Sequence, residues 1–159
     1  MTIPDDETLA RARAASLLQL AMRLGRLADE EAVRRVAAGG GPGARLRTAH
    51  TRLFPHVTME GTRPSEVARR LGVSKQAIGP LVDELVELGI FERVADPEDR
   101  RAVRIRWSAR GRQAMLHGLG VLAGLERELA EALGEADAAA LHDLLARAVA
   151  RAEAWQGQG

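Results

Sequence analysis

The chain has 159 residues, of which 46% are hydrophobic and 28% are charged, and its formal net charge is +1. This length and composition are typical of one compact folded domain or of two small ones, and they exclude a disordered or fibrous chain. The sequence contains no cysteine, which excludes disulfides, thiolate metal sites and a catalytic thiol. Because it lacks a run of about 18 apolar residues and its first residues do not resemble a signal peptide, we expect a cytoplasmic protein that does not bind membranes.

Two helices are predicted in the N-terminal third of the chain. Leucines at helical spacing predict one long helix over residues 9–38, which ends at the glycine-rich joint "GGGPG", residues 39–43. A second amphipathic helix is predicted over residues 44–56, with Leu53 among its core residues. Pro55 weakens the end of this second helix because proline has no backbone N–H.

The central part of the sequence has the pattern of a helix-turn-helix. Pro64 suits the first position of a short helix, and Gly72 suits its end. In the next stretch, "VSKQAIGPLVDELVELG", Ser74 can cap a second helix that Gly89 ends. Two short helices joined by a three-residue turn form such a motif.

A β-hairpin is predicted directly after this motif. The runs "IFERVA" and "AVRIRW" are short and rich in β-branched or aromatic residues, and "DPEDRR" between them is rich in turn formers. A helix-turn-helix followed by a hairpin is a winged helix. Ser108 then caps a long, leucine-rich helix that ends at Gly134, and a last helix begins near residue 135.

Residues 64–112, "PSEVARRLGVSKQAIGPLVDELVELGIFERVADPEDRRAVRIRWSARGR", resemble the winged-helix core of the MarR family of bacterial transcription regulators. The most specific part, "DPEDRRAVRIRWSARGR", is similar to the family's wing signature, in which Asp-x-Arg precedes a Leu-Thr pair and a glycine. The chain departs from the family pattern in three places. Trp107 and Ser108 replace the Leu-Thr pair, the joint is rich in glycine, and Pro80 lies within the second helix of the motif.

The resemblance implies a mainly α-helical fold with a small β-hairpin wing, in which a winged helix-turn-helix core is flanked by N- and C-terminal dimerisation helices. We expect residues 1–43 to form the N-terminal dimerisation helix and joint, residues 44–112 the DNA-binding domain, and residues 113–159 the C-terminal dimerisation helices. The terminal helices have more leucines than a small winged helix needs, so packing against a second subunit is the simplest arrangement. A monomer covered by three helices is the alternative.

The implied function is a DNA-binding transcriptional regulator, a ligand-responsive repressor that binds an inverted-repeat operator in double-stranded DNA as a homodimer. A recognition helix places its first side chains in the major groove, and here these are Ser74, Lys75, Gln76 and Ala77. Gln76 could bond to adenine, and Ser74 or Lys75 could hold phosphate. Alternatively, Ser74 only caps the helix and Gln76 is only solvated.

The tip of the predicted hairpin is a second candidate contact with DNA. Arg100 and Arg101 could reach a neighbouring minor groove or the phosphate backbone. Alternatively, Arg101 forms a structural ion pair with Asp99 or Asp83. The resemblance implies that Asp99 pairs with Arg101 and orients the wing, and Asp83 is predicted to help orient it.

Members of this family commonly respond to small, often aromatic, anionic ligands, and the polar candidates for such a cleft are Arg47, His50, Arg52 and His56. Alternatively, these are satisfied or exposed surface groups. We expect no cofactor and no metal, because the histidines are not spaced as metal ligands are. No nucleophile elbow, phosphate loop or dinucleotide fingerprint is present, so no catalytic residue is predicted.

Pro80 is the one residue that argues against a straight recognition helix. A proline inside a helix removes one hydrogen bond and costs about 3 kcal/mol. We therefore expect residues 75–78 to form a turn that is kinked relative to a regular helix beginning at Pro80. The alternative function is a winged-helix module for protein contacts, in which Pro80 has weakened or abolished DNA binding.

Overall fold

The computed structural model describes residues 5–99 and 101–156. It is mainly α-helical, and the described residues form one two-stranded antiparallel hairpin, which confirms the predicted fold class. The chain divides into two compact units, Met1–Leu119 and Gly120–Gly159. The predicted division into an N-terminal dimerisation helix, a DNA-binding domain and C-terminal dimerisation helices stays a prediction.

The first unit begins with two helices, α1 (Asp6–Ala15) and α2 (Leu17–Ala38), so the prediction of one long helix is wrong. The break lies at Ser16, whose backbone is extended with φ −82° and ψ 115°. Its hydroxyl accepts a hydrogen bond from the Gln19 N–H at 3.4 Å. Serine favours such a cap over a helix interior, because its hydroxyl competes for backbone groups.

The single helix predicted over residues 44–56 is also wrong. A 3₁₀ helix (Gly41–Arg45), a four-residue helix α3 (Thr48–Thr51) and a second 3₁₀ helix (Phe54–His56) take its place. Gly40 and Gly41 have positive φ angles of 75° and 67°, which turn the chain after α2. Pro55 lies in the last 3₁₀ helix and cannot donate the bond that would extend an α-helix.

The predicted helix-turn-helix is confirmed as α4 (Pro64–Leu71) and α5 (Lys75–Glu87). Gly72 ends α4 with φ 67°, and the Ser74 hydroxyl caps α5 by accepting the Ala77 N–H at 3.2 Å. Helix α5 is continuous and contains Pro80. The regular helix therefore begins at Lys75 and not at Pro80, while a bend at Pro80 stays a prediction.

The wing consists of β1 (Phe91–Ala95) and β2 (Val103–Trp107), with Phe91 opposite Trp107. The sequence did not predict a third piece of extended chain at Thr62, which exchanges two backbone hydrogen bonds of 2.9 Å with Ile105. These bonds hold the segment before α4 against the wing.

The core of the first unit lies between the helix-turn-helix and the base of the wing. Three rings pack edge-on or tilted at its centre, with Trp107 5.0 Å from Phe91 and 4.9 Å from Phe54 between ring centroids. The Trp107 indole donates a hydrogen bond to the Val57 carbonyl at 3.0 Å. The buried apolar members are Leu53, Val57, Val67, Ala68, Ile78, Val82, Leu85, Ile90, Phe91, Ile105 and Trp107.

Ser108 begins α6 (Ala109–Leu133) as predicted, because its hydroxyl accepts the Gly111 N–H at 2.8 Å. The last helix, α7 (Glu135–Gln156), follows Gly134, which has φ 88°. In the second unit most large apolar side chains are exposed, namely Leu122, Leu129, Leu133, Leu144, Leu145, Val149 and Trp155. Across the described chain, no helix combines the length and the apolar content needed to cross a membrane.

Candidate nucleic-acid interface

The first turn of α5 is a solvent-facing surface. Ser74, Lys75, Gln76 and Ala77 are all exposed, as their predicted role in DNA contact requires. Ser74 also caps the helix, so its hydroxyl is already engaged by a backbone N–H. Helical spacing aligns two rows on α5. The outward row consists of exposed side chains at Gln76, Pro80, Asp83 and Glu87, and the wing-side row consists of Lys75, Gly79 and Val82.

A groove of about 360 Å³ lies between the wing-side row of α5 and the hairpin. It brings Lys75, from the helix, together with Arg101, from the wing. Neither side chain has a carboxylate partner among residues 5–99 and 101–156. The groove is lined by Arg63, Pro64, Ser65, Lys75, Gly79, Val82, Arg93, Arg101, Ala102 and Val103. Arg100, the other predicted wing contact, lies outside the described residues.

Most other arginines of the winged helix are neutralised by carboxylates of the same chain. Glu66, for example, bonds to both Arg69 and Arg70 at 2.7 and 2.9 Å, and these bonds lower its pKa to about 2. Further pairs are Arg47 with Glu84, Arg63 and Arg104 with Asp96, Arg93 with Asp83, and Arg106 with Glu92. The positive field at the groove therefore comes chiefly from Lys75 and Arg101.

Asp96, at the base of the wing, is a structural carboxylate that the sequence did not single out. Its side chain is fully buried and accepts hydrogen bonds from Arg63 Nε at 2.5 Å, from Arg104 Nε at 2.8 Å and from the Glu98 N–H at 2.8 Å. The bond from Arg63, followed by that from Arg104, holds the pKa of Asp96 well below its usual range. Asp96 thereby links Arg63, at the start of α4, to Glu98 in the wing turn and to Arg104 in β2.

The two aspartates that were predicted to orient the wing have other contacts. Asp99 accepts the backbone N–H of Arg101 at 3.0 Å and shapes the turn, while the Arg101 guanidinium is not paired with it. Asp83 pairs with Arg93 of β1 instead of Arg101. The alternative in which Arg101 forms an ion pair with Asp99 or Asp83 is therefore wrong within the described chain, because Arg93 occupies Asp83 and the turn occupies Asp99.

Two of the four predicted ligand-cleft residues belong to a structural cluster. His50 is fully buried, and its Nδ1 accepts the Arg47 backbone N–H at 3.2 Å. Its Nε2 lies 3.1 Å from Glu84 Oε2, and the Arg47 guanidinium also bonds to Glu84. Burial lowers the pKa of His50 below its ordinary value of 6.5 despite this carboxylate. The cluster joins α3 to α5.

The other two predicted cleft residues lie apart from this cluster. Arg52 lines a cavity of about 440 Å³ between α2 and α3, together with Gly25, Arg26, Asp29, Glu30, Thr48 and Ala49. His56 lies in the second 3₁₀ helix, where its carbonyl accepts a bond from Arg70 at 3.4 Å. The structure therefore does not bring all four residues into one cavity. A further cavity of about 280 Å³, which the sequence did not predict, contains Arg110 and His117.

Comparison with known proteins relates the central part of the chain to a family. Residues 49–102 match the sequence model of the MarR family. The fold is similar to the reduced form of MarR from E. coli, with a TM-score of 0.71 and 21% identity over 84% of this chain and 96% of that one. The chain therefore has the winged-helix fold of these proteins, and its residues 49–102 have the sequence pattern of the MarR family.

Two structures of a second protein are also similar to this chain. The transcriptional repressor CouR, bound to a 23-mer DNA duplex, has a TM-score of 0.62 and 23% identity, covering 93% of this chain and 99% of that one. CouR from Rhodococcus jostii RHA1 bound to p-coumaroyl-CoA has a TM-score of 0.58 and 25% identity, covering 84% and 91%. A search of curated proteins gives no match. Within residues 5–99 and 101–156, no group of three or more His, Asp or Glu side chains could hold a metal ion.

Proposed function

We propose that this protein represses transcription by binding an inverted-repeat operator in double-stranded DNA as a homodimer. The observation that carries the proposal is the placement of Lys75 and Arg101 in one groove, where neither has a carboxylate partner among the described residues. Two unpaired cations on either side of a groove suit a phosphate backbone, because each can replace a counterion condensed on the DNA. The neighbouring ion pairs limit nonspecific attraction elsewhere.

Each predicted contact has a distinct role in this proposal. Ser74 and Lys75 hold phosphate, and Gln76 bonds to the N6 and N7 atoms of an adenine in the major groove. The methyl group of Ala77 lies beside Gln76 on the same exposed turn. Arg101 and the neighbouring Arg100 reach the adjacent minor groove or backbone. Asp96 keeps the base of the wing in place without touching DNA, which is the role that the resemblance implied for Asp99.

Exposed apolar residues in each unit support the homodimer. In α2 the exposed fractions of Leu17 and Leu18 are 73% and 63%, and the second unit exposes seven large apolar side chains. Exposed large apolar side chains in such numbers favour an interface over a free surface. A two-fold dimer places its two recognition helices about 34 Å apart, in successive major grooves. A mass of one chain in light scattering would contradict this arrangement.

A small aromatic or anionic ligand is part of the proposal. CouR, which binds p-coumaroyl-CoA, has a similar fold. Two cavities in the first unit have cationic or polar linings, one with Arg52 and one with Arg110 and His117. Of the predicted cleft residues, Arg47 and His50 are engaged with Glu84, so Arg52 is the better candidate for an anion. A role for His56 in ligand binding stays a prediction.

The direct test is fluorescence anisotropy with the duplex that lies upstream of the protein's own gene, in low and moderate salt. We expect binding whose logarithmic affinity falls linearly with the logarithm of salt concentration, by about 0.9 per phosphate contacted. Failure to bind this duplex or any member of a random duplex pool would contradict the proposal. Adding small aromatic acids to the complex tests the ligand response, which should appear as release of the DNA.

A protein-interaction module is the second candidate, and one observation favours it. Asp83 and Glu87 follow Pro80 on the outward row of α5, and acidic side chains repel DNA. However, both lie in the second half of the helix, and recognition helices use their first residues for base contact. Salt-sensitive binding that depends on Lys75 would exclude this candidate. Absence of DNA binding with retained dimer assembly would support it.

A further inference from the structure

The surface of α5 directly after Gln76 consists of short, rigid residues. Ala77 and Pro80 are exposed, and neither belongs to the hydrophobic core. Gly79 has no positive φ angle, and a Cβ atom there would meet nothing within 4 Å. Packing among the described residues therefore does not explain why α5 contains Gly79 and Pro80, two poor helix formers. An explanation has to come from what this side of the helix contacts.

Gln76, Ala77 and Pro80 form one patch on the surface of α5. Residues three and four positions apart are neighbours on a helix, so Pro80 adjoins both Ala77 and Gln76. The patch combines one amide with two apolar groups. The first turn of a recognition helix faces base edges in the major groove. There, an adenine offers a donor and an acceptor that suit the Gln76 amide, whereas a thymine offers a methyl group that suits apolar side chains.

Low side-chain entropy favours the two apolar members of this patch, and the neighbouring Gly79, as a contact surface. Ala77, Gly79 and Pro80 lose almost no side-chain freedom when a partner covers them, unlike lysine, arginine or glutamine. Gly79 lies in the wing-side row, where it lines the groove between Lys75 and Arg101. Because it has no side chain, a DNA strand in this groove could approach the helix backbone closely.

We propose that Pro80, assisted by Ala77, recognises the C5-methyl group of thymine in the major groove, next to the adenine that Gln76 contacts. This inference rests on the proposed DNA-binding function and assigns Pro80 as a specificity-determining residue. Gln76 and Pro80 are about 6 Å apart along the helix axis, and successive base pairs are about 3.4 Å apart. The two contacts therefore fall on base pairs one or two steps apart, and each half-site contains an A·T-rich core.

The test uses the full-length protein and deoxyuridine, which lacks only the methyl group of thymine. A duplex is first selected from a random pool by the wild-type protein. Each thymine is then replaced by deoxyuridine, one position at a time, and dissociation constants are measured by anisotropy. We expect one position per half-site at which the replacement weakens binding about three- to fivefold, which corresponds to the burial of one methyl group.

Two variants complete the experiment. P80A should still bind the duplex but have equal affinity for thymine and deoxyuridine at that position. P55A, which changes an exposed proline outside α5, should discriminate as the wild type does. The inference is overturned if the wild type binds thymine and deoxyuridine equally at every position, or if P80A discriminates fully. DNA binding without discrimination overturns this inference alone, whereas absence of DNA binding overturns the proposed function as well.

Discussion

The imidazole Nε2 of His50 lies 3.1 Å from Glu84 Oε2 and connects α3 to α5, the second helix of the helix-turn-helix. On the other side of the ring, Nδ1 accepts the Arg47 backbone N–H at 3.2 Å. Because Nδ1 is an acceptor, the hydrogen-bond network assigns the single proton of the neutral ring to Nε2, which donates it to Glu84. A second proton on Nδ1 would place two donors face to face and break the bond to Arg47.

Acidification should therefore destabilise the first unit through His50. Burial lowers the pKa of His50 below 6.5 in the folded state, so the unfolded chain binds the proton more readily. Neutral His50 makes its full contribution to the free energy of unfolding above pH 6.5. This contribution is lost as the pH falls from 6.5 toward the lowered pKa. Bonding to Arg47 also lowers the pKa of Glu84, which shifts stability in the same direction at still lower pH. Thermal unfolding at pH 7.5 and pH 5.5 measures the effect.

A matched pair of histidine variants checks this prediction. H50Q removes the buried titrating ring, so its melting temperature should differ less between the two pH values than that of the wild type. H142Q changes a histidine that is 82% exposed on α7, and it should keep the wild-type pH dependence. The same pH dependence in H50Q and in the wild type would show that other groups cause it.

Replacing Asp96 with asparagine should weaken the contact between the base of the wing and the start of α4. The neutral amide leaves Arg63 and Arg104 without their shared buried charge, so we expect the melting temperature to fall by roughly 5 °C or more. DNA affinity should fall as well, because the base of the wing is no longer tied to the start of α4. Glu98 provides the control, since it contacts the same two arginines at 3.9 and 3.3 Å but is 77% exposed. E98Q should have little effect, because exposed ion pairs stabilise proteins only slightly.

Single substitutions should distinguish the two unpaired cations of the groove from a paired arginine outside it by their effects on DNA affinity. K75Q and R101Q should each weaken DNA binding for all sequences and should each reduce the salt slope by about one unit. R69Q is the matched control, because Arg69 is exposed but bonds to Glu66 at 2.7 Å. Equal losses in all three variants would indicate a general charge effect instead of a site. Anisotropy titrations at several salt concentrations give the slopes.

Replacing Pro80 with alanine should stabilise the protein. Proline in a helix interior costs about 3 kcal/mol, and Pro80 leaves the Gln76 carbonyl without the N–H that residue 80 would otherwise donate. We expect P80A to raise the melting temperature by several degrees. P64A is the control, because Pro64 occupies the first position of α4, where no N–H is required. An unchanged or lower melting temperature in P80A would mean that the ring makes a stabilising contact in the folded protein.

The parts of the fold that could be predicted are those whose signals are local. Pro64, Gly72 and Ser74 mark helix ends through their own backbone preferences, and these ends were correct. Ser16 carries the same kind of signal, but the regular leucines on both sides of it favoured a continuous helix. Periodicity therefore outweighed a capping residue where the structure has a break.

Contacts between distant residues could not be predicted. Arg63 and Asp96 are 33 residues apart, and His50 and Glu84 are 34 residues apart. Nothing in the neighbourhood of Asp96 indicates that it is buried, because it lies in a turn of exposed, charged residues. The first turn of α5 is exposed, and its contact with DNA stays a prediction. The choice of carboxylate for each arginine depends on tertiary packing.

Each compact unit contains one of the two tryptophans of the chain. Trp107 is 3% exposed at the end of β2, whereas Trp155 is 60% exposed on α7. A buried indole fluoresces at shorter wavelength than a solvated one, so the protein contains two intrinsic optical reporters with different spectra. With Trp155 changed to phenylalanine, fluorescence would follow the melting of the winged helix alone. Comparison with circular dichroism, which follows all helices, would then reveal whether the two units unfold together.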